Sequence, residues 1–225
     1  MEENNEKFSI ETENLKNETV ETAKKVKESV KGANIKEETK ATKGFVIEMF
    51  KNPLETIKEV AQSNSGKYFK TALFLVILWT ILVFIGSTYS TIHYWGFSRV
   101  FANILSVLKR ILAPALGILV YSVIALVMNK NNKKSLIDVI STVTITQIPL
   151  MVATLVSLLT IISSKISIVT TPFAALCETV AIVLGFFGFK YLFEEECKKF
   201  IKKYVIIQLV YQVCYVVVGL LGIYI

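Results

Sequence analysis

Polar side chains inside otherwise apolar stretches are the residues of this 225-residue chain that could take part in chemistry. Glu178 follows Pro172 by six residues, so a helix that begins at the proline would carry this carboxylate about 9 Å into an apolar layer. Three glutamines could share its site, namely Gln147 and the pair Gln208 and Gln212, which are four residues apart and therefore lie on one helix face. These four residues form a candidate intramembrane polar binding site.

Two interpretations of Glu178 are open. A carboxylate inside a membrane is costly unless it is protonated, hydrogen-bonded or in contact with water, and such acids therefore indicate an ion- or proton-linked site. The alternative is an acid close enough to the membrane surface to reach lipid headgroups or Lys165. The only histidine, His93, stands beside a tyrosine and a tryptophan, which is typical of an aromatic belt, although a pH sensor is also compatible with it.

The sequence has none of the residue patterns on which common catalytic sites are built. It contains no GxGxxG, P-loop, HExxH or GxSxG motif, and Asp138 and Glu178 are the only acids between Ala61 and Lys190. Its three cysteines are widely spaced, so they indicate neither a disulfide framework nor a zinc site. We therefore predict no enzymatic activity, no catalytic or metal-binding residue and no cofactor.

Long apolar runs must position the polar residues. No charge occurs between Lys70 and Arg99, and 53% of the chain is hydrophobic, above the roughly 45–50% of soluble domains. Such runs predict membrane-spanning helices, since about 20 apolar residues cross the hydrocarbon layer. The fold class is therefore an all-α polytopic transmembrane bundle with spans at about residues 71–92, 111–128, 142–162, 172–189 and 204–225.

The segment before the second span and the glycines of the fourth span allow further predictions. Phe97 to Leu108 is either a shallow interfacial helix that leads into the second span or the start of one long tilted helix. In the fourth span, Gly185 and Gly188 predict close contact with a neighbouring helix.

The residues before the first span divide into two parts. Residues 1–43 are rich in charged and polar residues and are predicted to form a largely disordered cytoplasmic tail with a weak helical periodicity. Residues 44–62 are amphipathic, and Asn52, Pro53 and Glu55 predict a helix start with a capping box. This helix lies in the membrane interface or packs on the bundle as a cap.

Loop charges predict the orientation. Twelve lysines lie on the side of the N-terminus, between Lys51 and Lys70 and in the second and fourth loops, against four basic residues on the other side, which are Arg99, Lys109, Arg110 and Lys165. Positive loops stay in the cytoplasm, so the N-terminus is expected inside and the C-terminus outside the cell (plasma or inner) membrane. This distribution explains the net charge of +7 without nucleic-acid binding.

Two stretches carry a resemblance to a known family. The segments FKNPLETI before the first span and SLIDVISTVTITQIPLMVATLVSLL around the third resemble the Yip-type five-span membrane proteins, with Asp138 and Pro149 at positions that recur in the bacterial branch. The resemblance extends over Phe45 to Ile225. Eukaryotic members are linked to Rab-type GTPases and vesicle traffic, but this chain lacks the DLYGP-like element that they carry, so it is more similar to a prokaryotic homologue.

Two classes of function follow. The resemblance implies a non-catalytic, membrane-organising or trafficking-adaptor protein whose partners are the lipid bilayer and either another membrane protein or further copies of the chain. The polar residues within the spans indicate the alternative, a small transporter or channel component.

Overall fold

The computed structural model of the protein describes residues 20, 24, 35–63, 66–97, 104–128, 134–194 and 196–220. Over this part of the chain the structure is helical and contains no strand, which confirms the all-α class. The helices are α1 (Ile35–Lys51), α2 (Pro53–Gln62), α3 (Phe69–Trp95), α4 (Ile104–Met128), α5 (Leu136–Thr146), α6 (Ile148–Ser157), α7 (Ser167–Phe193) and α8 (Cys197–Leu220). Two short 3₁₀ turns, Leu158–Ile161 and Ser164–Ile166, join α6 to α7.

Three of these helices, α3, α4 and α7, are long and apolar enough to cross a membrane. Helices α5 and α6 pass the same test only together, as one span bent by 44° at their junction, so the described residues hold three or four candidate spans. Helix α8 begins with a lysine-rich segment, and the apolar part from Tyr204 to Leu220 rises only about 25 Å. The last five residues of the predicted fifth span lie outside the described residues.

The outer surface of the bundle is apolar. Side chains such as Ile77 and Phe84 on α3 and Leu209 on α8 are between 45% and 61% exposed. Soluble proteins rarely expose apolar patches of this extent. Lipid tails are as apolar as these side chains, so a surrounding bilayer removes the cost of exposing them.

Helix α5 lies at the centre of the bundle and packs against α2, α3, α4 and α7. All of its residues except Ile140 are buried, although five of the eleven are polar: Asp138, Ser141, Thr142, Thr144 and Thr146. Its hydroxyl groups mostly bond to its own backbone: Thr142 Oγ1 donates to the carbonyl of Asp138 at 2.9 Å, and Thr146 Oγ1 to that of Val143 at 2.8 Å. Four helices can therefore surround α5 without supplying partners for these two hydroxyls.

The start of α5 is fixed by a capping box that our sequence interpretation missed. Ser135 Oγ accepts from the backbone N–H of Asp138, and the Asp138 carboxylate accepts from the backbone N–H of Ser135. The same carboxylate accepts from the N–H of Gly66 at 3.2 Å, which ties α5 to the turn before α3. The helix consequently begins at Leu136 rather than at Thr142, the predicted start of the third span.

The third span is not one continuous helix. It bends at Gln147, because Pro149 has no N–H to give to the carbonyl four residues earlier and its ring crowds that turn. The bend was not predicted, although the proline was recognised. Beyond α6 the chain tightens into the 3₁₀ turn Leu158–Ile161, so only the predicted location of the span, not its regularity, agrees with the structure.

The N-terminal helices differ from the sequence prediction in two respects. Helix α1 begins at Ile35, within the predicted tail, whose remaining residues lie outside the described part except for Val20 and Lys24. The break at Asn52 is present, but the predicted capping box at that position is wrong. The Asn52 side chain makes no cap hydrogen bond and instead donates to Glu48 Oε1 at 2.7 Å, a carboxylate that lies one turn earlier.

Helix α2 packs on the bundle as a cap. Ile57 and Val60 are buried, and they belong to a core cluster that also contains Leu75 of α3 and Ile145 of α5. The opposite face of these N-terminal helices remains apolar and exposed, with Phe50 at 59%. Helix α2 packs in this way because the N-terminal helices are amphipathic. Their apolar side is wider than the area that the bundle covers, so part of it stays exposed.

The second and fourth spans start earlier than predicted. Helix α4 is continuous through Lys109 and Arg110, so the second span does not begin at Ile111. The 25 residues of α4 rise about 37 Å, and both charges lie near one end of that length. Helix α7 begins at Ser167, and Pro172 lies inside its second turn rather than at its first position. As the sixth residue of the helix, Pro172 has no N–H to give to the Ile168 carbonyl, a loss that neighbouring helices or water can offset in a membrane helix.

Close helix contact at Gly185 and Gly188 was predicted and is confirmed. A Cβ atom at Gly188 would lie 2.9 Å from Thr146 Cγ2 of α5, and one at Gly185 would lie 3.0 Å from the Tyr204 hydroxyl of α8. Distances this short are outside ordinary van der Waals contact, so α7 approaches both neighbours through its glycines.

Candidate functional site: a polar cavity within the bundle

A cavity of about 460 Å³ lies among α3, α4, α5, α6, α7 and α8, in the size range of small-molecule sites. All four residues of the predicted polar site line it: Gln147, Glu178, Gln208 and Gln212. Further lining residues that sequence reasoning did not assign to the site are Trp79, Arg110, Pro114, Tyr121, Thr154 and Tyr211. The structure thus brings the predicted residues together, whereas binding of a ligand there stays a prediction.

Glu178 lies deeper than the sequence suggested. Because α7 begins at Ser167, Glu178 is eleven residues, or about 16 Å, from the helix start, instead of the predicted 9 Å or so. The helix continues to Phe193 on the other side. Glu178 is therefore near the middle of a helix that is long enough to cross a layer of about 30 Å.

The predicted hydrogen bonds of Glu178 are absent. Although it shares the cavity with the three glutamines, Glu178 makes no hydrogen bond to any of them and no ion pair with Lys165 or Arg110, all of which the structure describes. Its side chain is exposed. The reason is spatial: the site is an open volume between helices, and the polar groups lie around it rather than against one another.

Gln208 is held in a defined orientation by two tyrosines. Its side-chain amide donates to the hydroxyl of Tyr121 on α4 and to that of Tyr204 on its own helix, the latter at 2.7 Å. The Tyr204 hydroxyl in turn donates to the carbonyl of Ile182 on α7 at 2.6 Å. Both N–H groups of the amide are thereby used, so Gln208 offers its carbonyl oxygen as an acceptor.

Arg110 supplies a positive charge to the same cavity. It was predicted to be a loop-side charge of the outer membrane face, and the continuity of α4 places it at the cavity instead. Pro114, four residues later, also lines the cavity and has no N–H to give to the Arg110 carbonyl. The sequence already showed a charged residue followed four positions later by a proline. This pattern could have predicted that Arg110 lies at a polar cavity.

The bend in the third span lies at the site. Gln147 is both a cavity residue and the junction of α5 and α6. In membranes, interrupted helices are tolerated where they are buried in protein or line a water-filled cavity. The second half of this span is fastened to the first span, because Trp79 Nε1 of α3 donates to Thr154 Oγ1 of α6 at 3.0 Å.

The other polar residues that the sequence singled out lie elsewhere. Asp138 is buried at the start of α5, where the hydrogen bonds described above give it a structural role. The ring of His93 stacks on that of Tyr89, with centroids 5.7 Å apart, as expected for an aromatic belt. In the described part of the chain, no group of three His, Cys, Asp or Glu residues is arranged to hold a metal ion.

A second polar cluster joins the end of α2 to the start of α3, outside the candidate spans. The Glu59 carboxylate accepts from the Tyr68 hydroxyl and from Lys67 Nζ, the latter at 3.1 Å. These hydrogen bonds lower the pKa of the Glu59 carboxyl. The pKa of Tyr68 is raised by burial and by its bond to Glu59.

Comparisons with protein-family models, with curated proteins and with solved structures found no match to this chain.

Proposed function

We propose that this chain is a polytopic membrane protein that binds a small polar solute between its helices, as a small transporter or a component of one. A single observation supports the proposal most strongly. Polar residues that are far apart in the sequence, from α4, α7, α8 and the bend between α5 and α6, surround one cavity.

The energetics of Glu178 support the same proposal. An ionised carboxylate at the centre of a membrane helix costs about 2.5–3.5 kcal/mol by insertion measurements, and no residue that the structure describes offsets this cost through an ion pair or hydrogen bond to Glu178. A residue that only stabilised the fold would be expected to have such a partner. A cation, a proton or water that enters the cavity would satisfy the carboxylate, which makes Glu178 the residue most directly linked to a solute.

The interrupted third span supports a site at this depth. Transporter sites commonly lie near the membrane midplane and use discontinuous helices whose backbone groups and ends face the solute. Gln147 lies eleven residues beyond Leu136, the start of α5, and thus well inside the span. The proposal assigns the bend a role in forming the cavity, beyond the constraint imposed by Pro149.

The flux of solutes through the reconstituted protein tests the proposed function. Proteoliposomes that contain the protein, Glu178→Leu or Glu55→Gln would be incubated with an isotope-labelled mixture of metabolites and ions, and the retained compounds identified by mass spectrometry. We expect at least one compound to accumulate with the unaltered protein and with Glu55→Gln, whose substituted residue is exposed on α2. Glu178→Leu should lose this accumulation while keeping its thermal stability, since no hydrogen bond is removed. Absence of flux in every preparation would overturn the proposal.

For the membrane topology, we propose five spans with a cytoplasmic N-terminus and an external C-terminus in the plasma or inner membrane. The support is the excess of twelve basic residues over four between the two sets of loops, together with α8, whose charged start precedes an apolar remainder. A reporter that is active only in the cytoplasm, fused after Ile225, should be silent. Strong activity of that fusion would contradict the odd number of spans.

A membrane-organising or adaptor role is the second candidate, as the resemblance to the Yip-type family implies. One observation favours it: Ile47, Phe50 and Leu54 on the N-terminal helices are all at least 43% exposed, so an apolar face remains available to a partner protein. Crosslinking in intact membranes followed by purification should then recover the same partner repeatedly, and recovery should fall in a Phe50→Ser variant. An adaptor would also be silent in the flux assay, which separates the two candidates.

A further inference from the structure

The charges at the cavity carry information on the class of solute. Arg110 of α4 and Glu178 of α7 both line the cavity, and neither forms an ion pair or hydrogen bond with any part of the protein that the structure describes. A site for a simple cation would not need the arginine, and a site for a simple anion would not need the glutamate. The two charges together therefore favour a ligand that carries both signs.

The hydrogen-bond donors and acceptors around the two charges also fit a ligand that carries both a positive and a negative charge. An arginine offers a planar set of N–H donors that matches a carboxylate or phosphate with two parallel hydrogen bonds. An ionised glutamate is an acceptor only, and so is the free oxygen of Gln208, whose amide donors are already taken by Tyr121 and Tyr204. An ammonium group, with three donors and no acceptor, is the complementary partner for two acceptors.

The remaining wall of the cavity is largely uncharged. Trp79 and Tyr211 present aromatic surface, and the Trp79 N–H is already used by Thr154, which leaves its ring face for apolar or cationic contacts. The volume of about 460 Å³ accommodates a small organic molecule.

Resting on the proposed function, we infer that the solute is a small zwitterion of the amino-acid type, with its carboxylate bound at Arg110 and its ammonium group bound at Glu178. The same pair of charges occurs in free amino acids and in the headgroup of phosphatidylethanolamine, in which a phosphate replaces the carboxylate.

Binding of matched compounds to the purified full chain in detergent tests this assignment. Each of the twenty standard L-amino acids would be assayed by the shift in thermal unfolding temperature. Any amino acid that binds would be compared with the amine lacking its carboxylate and with the acid lacking its amino group. We expect at least one amino acid to bind about tenfold or more tightly than both of these compounds, because each loses a charge-assisted hydrogen bond.

Two substitutions distinguish the two ends of the ligand. Arg110→Gln should remove the advantage of the amino acid over the amine, and Glu178→Gln should remove its advantage over the acid. Arg110→Lys, which keeps the charge, should retain part of the first advantage and shows whether a loss in Arg110→Gln reflects misfolding. Preferential binding of an amine or an acid alone, or identical effects of both glutamine variants, would overturn the inference.

A second experiment distinguishes a free amino acid from a lipid headgroup as the bound zwitterion. Native mass spectrometry of the protein with equal amounts of phosphatidylethanolamine and phosphatidylglycerol should show selective retention of the former, lost in Glu178→Gln, if the headgroup is the ligand. If neither free amino acids nor phosphatidylethanolamine bind but another solute moves in the flux assay, the inference fails and the proposed function stands. If no solute binds or moves, both fail.

Discussion

Substitution of Gly188 by alanine tests the closest helix contact of the bundle. The added methyl group would lie 2.9 Å from Thr146 Cγ2 and 3.1 Å from Thr142 Cγ2 on α5, and 3.5 Å from Ile57 Cγ2 on α2. The two threonines cannot easily turn away, because their hydroxyls donate to backbone carbonyls of α5 and all three contact residues are fully buried. Helix α7 would have to move, or the threonines would have to change rotamer and lose these bonds.

The expected cost follows from these contacts. Overpacking of a tight interior costs about 1–3 kcal/mol. Alanine is the better helix former by roughly 1 kcal/mol, which offsets part of that cost. Gly44→Ala provides a matched control, because Gly44 is also helical but has no atom within 4 Å of an added Cβ. The difference between the two variants therefore isolates the steric term.

Thermal unfolding in detergent, followed by circular dichroism, measures this difference. We expect Gly188→Ala to unfold about 2–12 °C below Gly44→Ala, from the steric cost and a shift of roughly 2–4 °C per kcal/mol for a chain of this size. If Gly188→Ala is as stable as Gly44→Ala, α7 does not approach α5 as closely as described, and the packing that frames the cavity is wrong.

Two further predictions concern the polar contacts that hold the N-terminal helices on the bundle. The pKa of Glu59 is lowered below its ordinary value of 4.5 by hydrogen bonds from Tyr68 and Lys67, so its contribution to stability is complete above pH 4.5 and is lost as the pH falls through the lowered value. Acid titration of thermal stability should show this loss in the unaltered protein and not in Glu59→Gln. Asp138→Ala should destabilise the protein by about 1–3 kcal/mol, because the N–H of Gly66 and the N–H of Ser135 at the start of α5 lose their acceptor. Asp138→Asn should cost less. Equal unfolding temperatures of Asp138→Ala and the unaltered protein would contradict this role of Asp138.

Much of the architecture could be predicted from the sequence because membrane helices are specified by long apolar runs. The first span was placed within a few residues of α3. The one glutamate and three glutamines that were predicted to form the polar site all line one cavity. Spacing within a single helix was sufficient for Gln208 and Gln212. It could not show that Glu178 makes no hydrogen bond, since this depends on the open volume between helices.

The errors came from local chemistry that competes with apolar periodicity. Ser135 and Asp138 form a capping box that starts α5 six residues before the predicted span, and Pro149 bends the helix that hydropathy presents as continuous. Arg110 was placed outside the second span, at the end of an interfacial helix, because charge is costly in a membrane. A charge within a span is tolerated at a polar cavity, and such a cavity becomes visible only when the helices are assembled.

The central claim is that the cavity around Gln147 and Glu178 is open to water inside the membrane domain. Cysteine accessibility tests it in a chain whose three native cysteines are replaced by serine, with Gln147→Cys or Leu155→Cys introduced singly into proteoliposomes. Leu155 lies on the next helix, α6, but is 53% exposed on the apolar outer surface. A variant that retains only Cys197, which is exposed at the start of α8, reports that the reagent is active.

A charged, membrane-impermeant methanethiosulfonate, supplied on both sides of the membrane, reacts with thiolates in water and not with thiols surrounded by lipid. The account predicts rapid modification of Gln147→Cys and of the Cys197 control, and no modification of Leu155→Cys. Modification of the Cys197 control without modification of Gln147→Cys would show a closed, dry bundle and would contradict the account.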